Sequence, residues 1–204
     1  MDPAVLRRAA AHLRRVDPVM ARIIRRVGPC RLERDRGAGH YAALVESILY
    51  QQITGKAAAA IHARLRALAG RSRPRPEDVA RFADAELRGV GLSRQKVAYL
   101  RDLTARVQNG LDLAHIARRG DEGVIEALTA VKGIGRWTAE MFLIFRLGRL
   151  DVLPVDDYGV RKAMQRAYGM RALPKPKRMR RLAEAWRPYR SVASWYLWKS
   201  VDGG

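Results

Sequence analysis

The sequence predicts an all-α protein built from many short helices, on three observations. Apolar residues recur at three- and four-residue spacing, as in Leu44, Val45, Ile48 and Leu49, which gathers them on one helical face. No segment alternates apolar and polar residues as a half-buried strand would. Asp-Pro pairs and glycines stand where helices open and close.

The elements follow in order. Asp2-Pro3 and Asp17-Pro18 each put a cap residue before a proline whose fixed φ suits a first helical turn. MDPAVLRRAAAHLRRVDPVMARIIRRVG therefore reads as two short helices rather than as an Arg-rich transit peptide. A third helix covers 41–51, and Thr54 caps a fourth over 55–68, where Ala57-Ala58-Ala59-Ala60 permits close packing. RSRPRP at 71–76 is a stiff basic linker that no helix crosses. Helices resume over 77–82, 84–90, 94–108, 111–118, 121–131 and 137–147, then over 157–168, 177–186 and 191–200.

Composition bounds the function. With 204 residues, 48% of them hydrophobic, the chain can bury a core and is not a disordered segment. No apolar run is long enough to cross a bilayer; the run around Ile144-Phe145 breaks at Arg146. Forty Lys+Arg against twenty Asp+Glu give a net charge of +20, which points to a polyanionic partner, most simply nucleic acid. The one cysteine, Cys30, excludes a disulfide framework, a multi-cysteine zinc cluster and a four-cysteine iron–sulfur site. His12, His40, His62 and His115 show no ligand spacing.

The most informative stretch is LTAVKGIGRWTAEMF, 128–142. A helix ends near Val131, Gly133-Ile134-Gly135 turns, and a second helix starts near Trp137. The glycines permit positive φ and leave the backbone open to whatever approaches. The first amides of the second helix then face outward with partial positive charge, a phosphate site flanked by Lys132 and Arg136, while Ile134 plugs the turn from inside. A plain helix–turn–helix corner is the bland alternative; the net charge and basic flanks favour phosphate.

These residues and the segment after them, GIGRWTAEMFLIFRLGRLDVLPVDDYGVRKAM, resemble the helix–hairpin–helix DNA glycosylases. Within that superfamily the resemblance is to the alkylation-repair branch, the DNA-3-methyladenine glycosylase II type, and SILYQQITGKAAAAI, GLSRQKVAYLRDLT, AWRPYRSVASWYLW and DPVMARIIRRVGPC extend it over nearly the whole chain. The inducible bacterial form of that branch also carries an N-terminal β-rich domain; the resemblance here begins with the helical part.

The resemblance implies a two-lobed helical fold with an active-site cleft between the lobes. The expected division is a first lobe of 1–75 with 172–204 and a second of 76–171 that carries both hairpin and catalytic aspartate. It implies a monofunctional enzyme that hydrolyses the N-glycosidic bond of alkylated purines, such as 3-methyladenine and 7-methylguanine, in duplex DNA. Pro154-Val155-Asp156-Asp157-Tyr158-Gly159 puts the catalytic carboxylate on Asp157; counting one residue less after the proline would select Asp156. A carboxylate at a helix N-terminus stays ionised, and a fixed anion under a sugar that gains positive charge favours the transition state over the ground state.

Trp137 stands where lyase relatives hold a Schiff-base lysine, so water is the implied nucleophile. The implied base pocket uses Trp137, Trp198 and Tyr158, because cationic alkylated purines stack on electron-rich rings. Trp186 and Tyr189 read as structural, and Trp195 as core or pocket. Gln52 is the implied group that fills the gap left by a flipped nucleotide, in place of the leucine of the inducible bacterial form. Lys56, Lys96, Lys132, Gly133, Ile134, Gly135, Arg136 and Thr138 complete the implied DNA contacts. Arg94, Lys175, Lys177, Arg178, Arg180 and Arg181 read equally well as phosphate contacts or as a solvated basic face.

No cofactor is implied, although hairpin carbonyls of Thr129, Val131 and Ile134 would hold a monovalent cation, Na or K. The implied partner is double-stranded DNA with alkylated bases, bound by a monomer inside the cell, at the nucleoid in a bacterium. Two rival readings stand beside this one: a glycosylase/lyase for oxidised or mismatched bases, and a non-catalytic DNA-bending protein.

Overall fold

The computed structural model describes residues 1–201 apart from Arg36 and Ala38, so the last three residues of the expected first lobe lie outside the described residues. The described residues contain no strand. The helices are α1 (Pro3–Val16), α2 (Pro18–Val27), α3 (His40–Leu49), α4 (Gly55–Ala69), α5 (Pro76–Arg81), α6 (Asp84–Gly89), α7 (Arg94–Gln108), α8 (Asp121–Thr129), α9 (Arg136–Met141), α10 (Tyr158–Ala167), α11 (Pro176–Ala183) and α12 (Arg190–Val201). A single 3₁₀ turn (Ile116–Arg118) precedes α8, and a π-helical stretch (Phe142–Leu147) follows α9.

The chain divides into two compact units, one of Met1–Arg34 with Leu143–Gly204 and one of Asp35–Phe142. In the first unit α1, α2 and α12 pack on one another and α10 packs on α12. Both Asp-Pro starts act as expected: Asp2 accepts from the Ala4 amide, and Asp17 accepts from Val19 and Met20. Asp17 does more than cap, because its second oxygen takes the Tyr168 hydroxyl at 2.5 Å and the Trp186 indole N–H at 2.8 Å. Burial, and then the Asp17 carboxylate, push the Tyr168 hydroxyl far above its ordinary range. Leu13, Met20, Trp186, Tyr196 and Leu197 are fully enclosed, each contributing about 1.5–3 kcal/mol of apolar burial.

The segment leading to α10 is clamped. Arg190 and Arg187 both pair with Asp151, and the Val152 amide donates to the Ser191 hydroxyl. Val152, Leu153 and Val155 are buried, so the backbone arrives at Asp157 with little freedom.

In the second unit α7 packs against α3, α5 and α6, α4 lies on α3, and α8 on α9. Arg101 ties this arrangement by donating to the carbonyls of Val79 and Phe82 and to the Asp84 carboxylate. The Tyr41 hydroxyl meets the Thr104 hydroxyl at 2.7 Å in the core, and burial pushes the phenol far upward.

Three expectations change. The helix expected over 111–118 is a loop with one 3₁₀ turn, because Gly110 sits at φ 108° and Asp112 binds both the amide and the ring of His115, offering the backbone an alternative to helix. The helix expected over 137–147 is regular only to Met141 and then widens to π geometry. The compact units divide near 35 and 143 rather than at 76 and 172. Residues 40–69 go with the middle block because α3 packs on α7; the Asp157 helix goes with the terminal helices because α10 packs on α12.

Candidate DNA interface and catalytic carboxylate

The hairpin lies wholly in the second unit. Gly133 is in the left-handed region at φ 81°, and a Cβ there would stand 2.2 Å from the Tyr99 ring. No other residue fits, on conformation and on space alike. Gly135 differs: its backbone is extended, and a Cβ would meet nothing within 4 Å. It supplies α9 with no side-chain cap, so the first-turn amides of that helix receive no anion from their own N-cap.

The turn is fastened from outside. Asp102 accepts the Lys132 amide at 2.8 Å, and the Gln51 side-chain amide donates to the Gly133 carbonyl at 2.8 Å. Burial works to raise the Asp102 pKa, but the Lys132 amide and the Arg106 guanidinium outweigh it and hold the carboxyl below its ordinary value. Ile134 is buried, as a plug should be. Asp102, Gln51 and Tyr99 are parts of this apparatus that sequence reasoning missed, since each is remote in sequence from the glycines.

The expected DNA contacts around the hairpin separate into two groups. Lys132, Gly135, Gln52 and Lys56 are exposed. Gln52 has φ 57°, an unusual value for a residue with a side chain, at the junction of α3 and α4. Ile53 beside it is also exposed, and a cavity of about 440 Å³ lined by Gln51, Gln52, Ile53, Tyr99 and Gly133 adjoins them. Lys96 differs from expectation: its ammonium is turned inward onto the Leu49 carbonyl at 2.5 Å, and burial lowers its pKa. Thr138 is buried. Arg136 pairs with Glu122 and with the buried Glu140, which raises its pKa, so its charge is largely answered within the unit. Trp137 is 45% exposed at the start of α9.

The carboxylate lies in the first unit. Asp157 is the N-cap of α10 and 8% exposed; one of its oxygens accepts from the Val160 amide at 2.7 Å and from the Trp198 indole N–H at 2.8 Å. Asp156 is exposed, and among the described residues no such pair of donors converges on it. Of the two candidate aspartates, Asp157 is the one held in a defined place.

Trp198 is itself positioned, with its ring stacked on Phe145 at a centroid distance of 5.7 Å and 28° between planes. Gly159 completes the fit, because a Cβ there would come within 3.0 Å of the Trp198 ring and 3.2 Å of the Asp157 carboxylate. Tyr158 is 66% exposed beside this cluster in sequence. Phe145 and the spatial need for Gly159 were missed in the sequence; the first sat in an apolar run that read as core. Trp186 and Trp195 are buried structural residues. Chemically, the cluster is a buried carboxyl group on which the Val160 amide and the Trp198 indole converge, with aromatic neighbours, an arrangement suited to face a centre that gains positive charge.

Comparison with known proteins gives the same reading of the fold. Residues 45–188 match the model of the HhH-GPD superfamily of base excision DNA repair proteins. DNA-3-methyladenine glycosylase 1 of Schizosaccharomyces pombe is 33% identical over 199 residues, covering 96% of this chain and 87% of that protein. The structure is similar to a DNA-3-methyladenine glycosidase of Bacillus halodurans (TM-score 0.85, 37% identity, 94% of this chain and 88% of that one). It is also similar to the Schizosaccharomyces pombe 3-methyladenine DNA glycosylase Mag1 in complex with abasic DNA (TM-score 0.80, 32% identity, 95% of this chain and 96% of that one). With that family model spanning most of its length, the chain belongs to the HhH-GPD superfamily of base excision DNA repair proteins.

Proposed function

We propose that the protein is a monofunctional DNA glycosylase that hydrolyses the N-glycosidic bond of alkylated purines in duplex DNA, initiating base excision repair. The observation that carries this is Asp157, a buried carboxylate oriented by the Val160 amide and the Trp198 indole. As the bond from C1′ to the base nitrogen breaks, both bonding electrons leave with the base, and the sugar becomes an oxocarbenium ion. A cationic alkylated base departs neutral and needs no proton. Asp157 stabilises the sugar cation, and water attacks C1′, losing its proton to the surrounding solvent or to the carboxylate.

The hairpin and its α9 amides hold backbone phosphate, with Lys132 adding charge. Gln52 fills the place of the extruded nucleotide, and Lys56 lies near enough in sequence to hold an adjoining phosphate. Trp137 offers an exposed indole face for a cationic base, with Trp198 and Tyr158 as further aromatic surface. Having no amine, Trp137 cannot form a Schiff base, so strand cleavage is not part of the reaction. The reaction requires no cofactor. A monovalent cation on the Thr129, Val131 and Ile134 carbonyls belongs to the same reading; the Val131 carbonyl already accepts the Ile134 amide at 3.1 Å and would use its second lone pair.

The same reading has the protein act as a monomer inside the cell. No helix among the described residues is long and apolar enough to cross a membrane. The test is Asp157→Asn, which keeps a side-chain oxygen for the Val160 amide. It should leave DNA affinity intact while release of free 3-methyladenine from methylated DNA falls by about 10²–10³-fold, the scale of losing one electrostatic stabiliser. Undiminished release would remove Asp157 from the reaction, and a covalent adduct trapped by borohydride would overturn the water mechanism.

A further inference from the structure

Most of the arginines that organise this fold have carboxylate partners: Arg101 with Asp84, Arg106 with Asp102, Arg136 with Glu122, Arg190 with Asp151. α11 is different. Lys177, Arg178, Arg180 and Arg181 are all exposed, and among the described residues none of them has an ion-pair partner; the same is true of Lys175 just before the helix. At 100° per residue these four side chains fan over one side of the helix, opposite the buried Met179 and Ala183. No acidic residue occurs over 171–183, and Glu184, the first to follow, is engaged by Arg187.

The arrangement works against the helix. Lys177 and Arg181 are like charges one turn apart, as are Lys177 with Arg180 and Arg178 with Arg181. Lys175, Lys177 and Arg178 also sit at the helix N-terminus, where the backbone dipole is already positive and the N-cap offers no side-chain acceptor. Met179 and Ala183 are the buried residues of α11, and among the described residues no carboxylate relieves this repulsion. An external polyanion would. Four cations over residues 177–181 span about 6 Å of helix, close to the charge density of duplex DNA, about one phosphate per 1.7 Å of axis.

We propose that the exposed face of α11 is a second DNA-backbone surface, which binds phosphates of duplex DNA without regard to sequence or damage and is distinct from the hairpin. It lies in the other compact unit from the hairpin and on a different helix from Asp157. The inference rests on DNA being the substrate, as proposed above. Its chemistry is that of point charges, so it holds undamaged flanking DNA rather than recognising the lesion.

The test measures binding of the full chain to an undamaged 40-base-pair duplex as a function of salt. Replacing Lys177, Arg178, Arg180 and Arg181 together with Gln preserves helix propensity and removes four charges. Each lost phosphate contact lowers the salt slope by about 0.9, so the slope should fall by about 2 to 4 and affinity at low salt by at least tenfold. R178Q with R181Q should give about half that change, and circular dichroism melting of both variants checks that α11 is retained. A slope and affinity equal to those of the unaltered chain would overturn the proposal and leave α11 free for an acidic protein instead. Because undamaged DNA is used, this result is independent of base release: D157N can fail its own test while the α11 variants pass, or the reverse.

Discussion

Two helix starts in this molecule use the same backbone charge in opposite ways. At the start of α10, Asp157 brings its own anion to the helix N-terminus, and the Val160 amide and Trp198 indole hold it. At the start of α9, Gly135 brings none. The first can face a developing cation because its anion is built in; the second can receive a phosphate because no side chain of its N-cap has taken the amides. In each case a glycine is fixed by an aromatic ring, Gly159 by Trp198 and Gly133 by Tyr99, so the chemistry depends on close packing as much as on charge. A local motif becomes a site only when a remote side chain holds it.

This contrast can be broken at several points. Removing the built-in anion has the largest effect, through D157N as described above. Next come the hairpin glycines, which should part company. Gly133→Ala must move Tyr99 or the turn and is expected to cost about 1–3 kcal/mol in thermal unfolding, together with most DNA affinity. Gly135→Ala meets nothing, so it should melt like the unaltered chain while binding DNA more weakly, because the Cβ obstructs the approach of phosphate. Equal melting of the two variants would show that Tyr99 does not enforce the turn.

Trp198→Phe sharpens the other half of the comparison. It keeps a ring to stack on Phe145 but deletes the indole N–H that Asp157 accepts. A hydrogen bond to a charged group is worth about 1.5–3 kcal/mol, so single-turnover base release should slow by about 10- to 100-fold with DNA affinity unchanged. A weaker effect than about threefold would mean the Trp198 indole does not orient the carboxylate.

The smallest effect concerns Asp102, which fastens the hairpin through the Lys132 amide. Its pKa is held below the ordinary value near 4, so its contribution is complete above that value and is lost as pH falls through the depressed one. Asp102→Asn should therefore melt about 1 kcal/mol less stably near neutral pH, with the difference from the unaltered chain closing in strong acid. A difference that persists there would assign the loss to packing instead.

Much of this was legible in the chain. Helix starts are local: Asp2, Asp17, Thr54 and Asp157 each cap as their type and position predict, because the N-cap bond closes within three residues. The hairpin glycines and the single cysteine were equally plain. Other features were local in sequence but not in consequence. Lys96 looked like a phosphate contact because it is a lysine in a basic chain, yet its ammonium ends on the Leu49 carbonyl. Arg136 flanks the hairpin as expected, but Glu122 and Glu140 answer its charge.

The sequence by itself determined that the protein is helical, strongly cationic, provided with a glycine hairpin and an aspartate placed to start a helix, because those properties follow from residue type and from spacing within a few turns. Only the tertiary structure decided which of two neighbouring aspartates is held, which lysine is buried, and how residues 40–69 and α10 are apportioned to the compact units. The physical reason is range: caps and turns close over three or four residues, whereas Trp198 reaches Asp157 across 41 residues and Gln51 reaches Gly133 across 82. No local pattern records contacts of that separation.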